Sequence, residues 1–186
     1  MIAMNFKQLN LPSFDLLREL DHMLSENQIG WGPIDQICIN TPANKINDIH
    51  YGAGSLYFDW NNIKNGKPGV RPTELKETDF TELCSVFSNT AFEEVYKILK
   101  NQFNIGRLRL MKSIPKTCLT WHCDDTKRIH YPISTQDGCL MIIEDEVKHL
   151  PANTWWLTNT LVKHTALNAS AENRIHLVVS LLDEDS

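Results

Sequence analysis

The spacing of apolar and polar positions changes character once along this chain, near Gly106. Ahead of it helical and strand patterns are mixed. Phe14, Leu16, Leu17, Leu20 and Leu24 recur at three- and four-residue intervals, which predicts a helix capped by Ser13 and stopped by Gly30. Residues 34–40 and 55–60 alternate and predict strands. Residues 61–78, with Gly66, Pro68, Gly69 and Pro72, read as a long loop of the kind that can serve as a lid. Residues 79–103 predict helix in one or two pieces, with Ser88, Asn89 and Thr90 offering a break and a fresh cap before Ala91.

Beyond Gly106 the period shortens to two. Short strands are expected at 107–112, 117–122, 128–134, 139–144, 147–150, 154–158, 163–167 and 174–182, with turn residues between them. So many short strands in so little chain predict a mainly β fold with N-terminal helices, a cupin-like jelly roll or double-stranded β-helix. One domain is expected over 1–186, with 1–106 as support and possible lid and 107–183 as the β core.

Side chains alternate across a strand, so residues of one parity share a face. Arg107 and Arg109 oppose Leu108 and Leu110, and Thr120, His122 and Asp124 oppose Leu119, Trp121 and Cys123. Arg128 and His130 oppose Ile129, Tyr131 and Ile133, and Arg174, His176 and Ser180 oppose Ile175, Leu177, Val179 and Leu181. A solvated sheet face would mix Lys, Glu, Ser and Thr. The polar parity here carries Arg and His without Lys, which favours a binding cleft, with the apolar face covered by the N-terminal helices or by other strands.

Bulk properties narrow the partners. The net charge of -5 is spread over mixed signs, so neither nucleic acid nor an anionic membrane is an expected partner. The longest apolar runs have strand length, the N-terminus lacks a secretory pattern, and a cytoplasmic location follows as the expectation. The cysteines at 38, 84, 118, 123 and 139 are odd in number and lack a Cys-x-x-Cys pair, which suits reduced thiols. Cys123 is expected to be structural and buried.

The candidate chemistry lies in His122-x-Asp124, in His164, and in Arg174 ten residues after that. Two residues apart on a strand, His122 and Asp124 point the same way and can share an ion, whereas Asp125 has the wrong parity. Two imidazoles and a carboxylate suit a non-haem Fe(II) centre that keeps other positions open, and an Arg nearby can hold an anionic co-substrate. His164 and Arg174 are expected on consecutive antiparallel strands. The plainer readings are a satisfied half-buried histidine and a surface cation. Arg107 and Arg109 are either cleft residues for a co-substrate or acidic substrate, or surface cations. His176 could orient a ligand, Trp155 and Trp156 read as core, and His22, His50 and His149 as structural or exposed. The glycine-rich segments at 31–33 and 51–54 are turns that could form a substrate mouth.

With His122-x-Asp124, Arg128-Ile129-His130, His164 and Arg174 in that order and spacing, residues 107–182 resemble the 2-oxoglutarate and Fe(II)-dependent oxygenases, and within them the aspartyl/asparaginyl β-hydroxylase family. The first hundred residues carry no matching motif. The resemblance implies His122 and His164 as iron ligands, Arg174 on the distal carboxylate of 2-oxoglutarate, and Arg128 and His130 as further co-substrate contacts. Some members of that family use two histidines alone. Here Asp124 completes the facial triad of the wider superfamily. The implied cofactors are Fe(II), 2-oxoglutarate and dioxygen, and the implied activity is hydroxylation of an unactivated C–H bond in a peptide, protein or small amino-acid-like substrate. The rival readings are a cupin-like metal enzyme that does not use 2-oxoglutarate and a non-catalytic jelly-roll binding protein.

Overall fold

A computed structural model describes residues 4–32, 34–56 and 75–182. The expected strand at 55–60 and loop at 61–78 lie largely outside the described residues. The main sheet has six antiparallel strands, β1 (Phe6–Leu9), β2 (Gln36–Cys38), β5 (Ile105–Ser113), β7 (Arg128–Ser134), β10 (Trp155–Thr158) and β12 (Arg174–Leu181), in the order β1-β10-β7-β12-β5-β2. A smaller sheet of four holds β6 (Thr117–Cys118), β8 (Cys139–Ile143), β9 (Glu146–His149) and β11 (His164–Asn168), in the order β6-β11-β8-β9. The two-residue strands β3 (Asn40–Thr41) and β4 (Glu82–Leu83) pair with each other. All eight strands expected after Gly106 are present, and the architecture is the two-sheet cupin-like jelly roll, with neither sheet closed on itself.

The main sheet separates its faces as alternation requires. Leu108, Leu110, Ile129, Tyr131, Ile133, Trp155, Ile175, Leu177, Val179 and Leu181 lie in the largest core cluster together with helix residues. Those come from α1 (Leu16–Glu26), which buries Leu16, Leu20 and Met23, and from α2 (Ala91–Gln102), which buries Phe92, Val95, Tyr96 and Leu99. The opposite face of the main sheet looks toward the smaller one. There a second apolar cluster joins Phe6 and Trp156 to Met141, Ile143 and Leu150 and closes one end of the space between the sheets. Trp155 and Trp156 are both buried as expected, in different clusters.

The N-terminal segment is strapped onto this core. The Tyr131 hydroxyl accepts a hydrogen bond from the Phe14 N–H at 2.7 Å, and Trp155 Nε1 donates to the Pro12 carbonyl at 2.8 Å. Glu19 of α1 accepts the first backbone N–H of α2, from Ala91, at 2.6 Å, where a helix start favours negative charge.

Several local expectations are corrected. The N-cap of α1 is Asp15, not Ser13, whose hydroxyl is drawn away to the Asn153 carbonyl at 3.0 Å. The helix ends at Glu26, ahead of Gln28 at φ 53°, so Gly30 is not its stop. Residues 79–88 are not helix: 3₁₀ turns at Glu77–Asp79 and Ser85–Phe87 flank β4, because pairing with β3 holds the chain extended between them. His164 and Arg174 do not lie on paired strands, since β11 belongs to the smaller sheet and β12 to the main one. Beyond Cys118 the pairing with β11 becomes irregular, and the residues opposite the candidate ligands stay at the surface. Leu119 and Trp121 are exposed, and so is Cys123, against the expected burial. No helix among the described residues is long and apolar enough to cross a membrane.

Leu177 is fully buried on the face away from Arg174 and His176. Leu177→Ala is expected to cost about 2–5 kcal/mol in urea unfolding, with metal affinity of the folded protein unchanged. A loss of metal affinity without loss of stability would contradict this division of faces.

Candidate metal centre and cationic cleft

His122, Asp124 and His164 come together with their ligand atoms all within 4.8 Å of one another. The smaller sheet sets this up. His122 and His164 exchange backbone hydrogen bonds of 3.1 and 2.9 Å across an isolated bridge, which puts both imidazoles on one face. Along the same pair of strands Cys118 lies opposite Leu167, so four steps on one strand match three on the other. That extra residue is a bulge, and it turns His122 inward. Asp124 is fixed by its own N–H, which donates to the Thr160 carbonyl at 2.8 Å, and Thr160 donates through its hydroxyl to the Thr126 carbonyl at 2.7 Å.

The two rings are prepared for coordination. Nδ1 of His122 is 2.7 Å from the Thr120 carbonyl, and Nδ1 of His164 is 3.0 Å from that of Val162. A carbonyl can only accept, so each Nδ1 carries the proton and each Nε2 offers its lone pair. His164 Nε2 lies 3.6 Å from Asp124 Oδ2. Burial holds the His164 pKa below its ordinary value and so favours the neutral ring. For Asp124, burial pushes upward but is outweighed by the charge and hydrogen bond of Arg128, so the carboxyl is held low.

Facing these ligands, the inner side of the main sheet buries Arg107, Arg109, Arg128, His130, Arg174 and His176. Arg107 and Arg109 are therefore not surface cations. Arg107 grips Glu77 through Nε at 3.0 Å and Nη2 at 2.7 Å, and its backbone N–H donates to the other carboxylate oxygen at 2.9 Å. Arg128 donates from Nε to Asp124 at 3.1 Å and has Nη1 3.5 Å from Glu77. Glu77 can come this close because residue 106 is glycine: a Cβ there would stand 2.8 Å from its Oε2. The buried Asn40 clamps the same region by donating to the carbonyls of Phe80 and Gly106 at 2.7 and 2.8 Å. For Glu77, burial is overcome by Arg107, with help from Arg128 and Arg109, and its pKa falls to about 2.

Sequence reasoning missed Glu77, which sits in an expected loop with no periodicity around it. The usable signal was charge: four inward arginines and one inward aspartate require a further acid from elsewhere. The segment at 51–54 does reach the cleft. The Gly52 and Gly54 carbonyls accept from Arg107 Nη1 at 2.6 and 2.7 Å, and Gly54 also accepts from Arg109 Nη1 at 3.0 Å. Both glycines have positive φ, 86° and 79°.

Arg174 stands apart from the candidate ligands, at the start of β12 where the chain has just crossed from the smaller sheet. Asn168 fixes that crossing by donating to the carbonyls of Ser113 and Glu172 at 2.9 and 2.8 Å. The Arg174 side chain meets the His176 ring, with Nε 3.1 Å from Nε2, and has no carboxylate partner among the described residues. His176 in turn lies 3.4 Å from His130, ring nitrogen to ring nitrogen. Burial, then the charge of Arg174, keeps both rings neutral, with the His130 pKa down to about 3. His130 Nε2 is buried without a partner among the described residues. A 2-His-1-carboxylate set suits Fe(II), and a buried guanidinium lacking a counter-ion suits a carboxylate ligand, so these residues fit both groups that the resemblance implies.

A family model described as Aspartyl/Asparaginyl beta-hydroxylase matches residues 45–183, starting well before the motif-bearing strands. No curated protein matches the chain. Among solved structures, a Pseudomonas putida prolyl-4-hydroxylase is 10% identical with a TM-score of 0.43, over 95% of this chain and 86% of its own. A 2OG-Fe(II) oxygenase family oxidoreductase from Burkholderia pseudomallei is 14% identical with a TM-score of 0.41, over 48% of this chain and 55% of its own. A cupin domain from Bordetella pertussis Tohama I is 14% identical with a TM-score of 0.37, over 41% and 81%. Likenesses this remote decide nothing about chemistry; the family match carries the assignment.

Because its carboxyl is depressed, Glu77 contributes stability that is present above its ordinary value of 4.5 and lost as pH falls toward about 2. Glu77→Gln is expected to lose on the order of 3 kcal/mol at neutral pH. In acid-unfolding curves the gap between the two proteins should shrink between those pH values, and a constant gap would refute the assignment.

Proposed function

Because the chain belongs to the aspartyl/asparaginyl β-hydroxylase family and is a hydroxylase by that membership, we propose that it uses Fe(II) and 2-oxoglutarate to hydroxylate an unactivated C–H bond. The observation that carries this reading is the convergence of His122, Asp124 and His164 beside a cleft whose buried Arg174 has no carboxylate partner among the described residues. Iron bound at the triad, with 2-oxoglutarate and dioxygen, would supply an oxidative decarboxylation that yields succinate and carbon dioxide and places one oxygen atom on the substrate.

The protein's own residues supply position and environment. The Nε2 atoms of His122 and His164 and the Asp124 carboxylate would hold the metal on one side and leave the other side open. Arg128 keeps the Asp124 carboxylate ionised and oriented. Arg174 would take the distal carboxylate of the co-substrate in a charge-assisted contact, with His176 and His130 lining the path between it and the metal. The apolar cluster around Trp156 and Met141 keeps water from one end of the cleft. The proposed substrates are a peptidyl Asp or Asn side chain or a small amino-acid-like molecule, and the five free thiols favour the cytoplasm as the compartment.

Arg174→Ala is expected to weaken 2-oxoglutarate binding by about 2–5 kcal/mol while metal affinity stays unchanged. Asp124→Ala should weaken the metal first. Isothermal titration with metal and then co-substrate measures both. If unaltered protein binds Fe(II) but neither binds 2-oxoglutarate nor forms succinate from it, a cupin-like enzyme without that co-substrate is the better reading.

A further inference from the structure

We propose that Arg109 anchors a carboxylate of the substrate. This rests on the reading of the site given above. The argument starts from the ions buried on the inner face. Arg107 is held by Glu77, which spends one carboxylate oxygen on two guanidinium nitrogens and the other on the Arg107 backbone. Arg128 has Asp124 and the edge of Glu77. Arg174 is matched by the co-substrate. Arg109 is left with neutral partners alone among the described residues: its Nη1 donates to Gln36 Oε1 at 3.1 Å and to the Gly54 carbonyl at 3.0 Å.

Its Nε, fully buried, has no partner at all among the described residues. An open Nε–H is one half of the fork with which a guanidinium grips a carboxylate side-on. Only 6% of Arg109 is exposed, and its acidic neighbour Glu77 gives its hydrogen bonds to Arg107, so a cation so placed is costly unless a ligand brings an anion of its own. Ser180 adds a second open group, its hydroxyl fully buried and unpartnered on the next inward position of β12.

The location separates this group from the co-substrate's. Val178 of β12 lies opposite Arg109 on one side and opposite His130 on the other, so Arg109 shares a row with His130, two strands across. Arg174 is four residues back along β12, roughly 13 Å away along the strand. A co-substrate that runs from Arg174 to the metal therefore leaves Arg109 free, on the β2 side of the sheet. Gln36 and the turn at Gly54 close the Nη1 side, leaving one edge for one planar, singly charged group rather than a phosphate. Two sources share that chemistry, an acidic side chain within a peptide and the main-chain carboxylate of a free amino acid.

The test uses the whole protein loaded with Zn(II) and saturating 2-oxoglutarate, which does not turn over. Ligand-observed NMR follows three probes: N-acetyl-aspartate α-methylamide, N-acetylalanine and N-acetylalanine methylamide. A carboxylate probe is expected to bind and the neutral one to fail, and the carboxylate that binds identifies the source. Arg109→Met should weaken that probe by about ten-fold or more. It should leave 2-oxoglutarate affinity unchanged, which also reports that the variant is folded, and Arg109→Lys should restore part of the binding. Equal binding of all three probes, binding of none, or a matching loss of 2-oxoglutarate in Arg109→Met would overturn the inference while leaving the oxygenase reading in place. Failure of the unaltered protein to bind 2-oxoglutarate would remove that reading, and the inference with it.

Discussion

Arg128 divides its guanidinium between two carboxylates, Asp124 at 3.1 Å and Glu77 at 3.5 Å, and the site depends on that sharing. Asp124 belongs to the loop that carries two of the candidate metal ligands, and Glu77 to the N-terminal half of the chain. One side chain on the main sheet thus ties the metal loop, the support region and the cationic cleft together. A buried charge released from such a partner is strongly unfavourable, so the three parts hold their places jointly. The low-dielectric surroundings that make the pairing strong also make the remaining cations costly when they stand alone.

The β core was legible because alternation is a strong constraint where one face meets helices and the other meets a polar cleft. Leu108, Ile129, Leu177 and Val179 against Arg109, Arg128, His176 and Ser180 separate in the structure as their parity requires. His122, Asp124 and His164 converge as the sequence suggested, but not through strand parity: β6 ends at Cys118, and His122 meets His164 only at an isolated bridge. What parity could not show is which sheet each strand joins. The crossing between β11 and β12 separates His164 from Arg174, and the hydrogen bonds of Asn168 that fix it are set by contacts far apart in sequence.

The N-terminal half was harder to read because its elements are decided by tertiary contacts. Residues 79–88 have apolar spacing compatible with helix, yet the pairing of β4 with β3 and the clamp from Asn40 to the Phe80 carbonyl keep them extended or in short turns. Ser13 is a good cap by composition, but the Asn153 carbonyl takes its hydroxyl. Glu77 was invisible to periodicity, although the charges it neutralises were visible. Cys123 was misplaced because the strand whose alternation would have turned it inward ends at Cys118.

The bulge between Cys118 and His122 has a consequence for how this region can vary. Substitutions at 119–121 change only exposed side chains, so the composition of this stretch is loosely constrained. The bulge itself is constrained: at the present length, regular pairing from Cys118 would set Trp121 opposite His164 and turn the His122 imidazole to the other face. An intact centre is therefore marked by the pairing of His122 with His164, which the residues between Cys118 and His122 serve by their number and bulge rather than by their side chains.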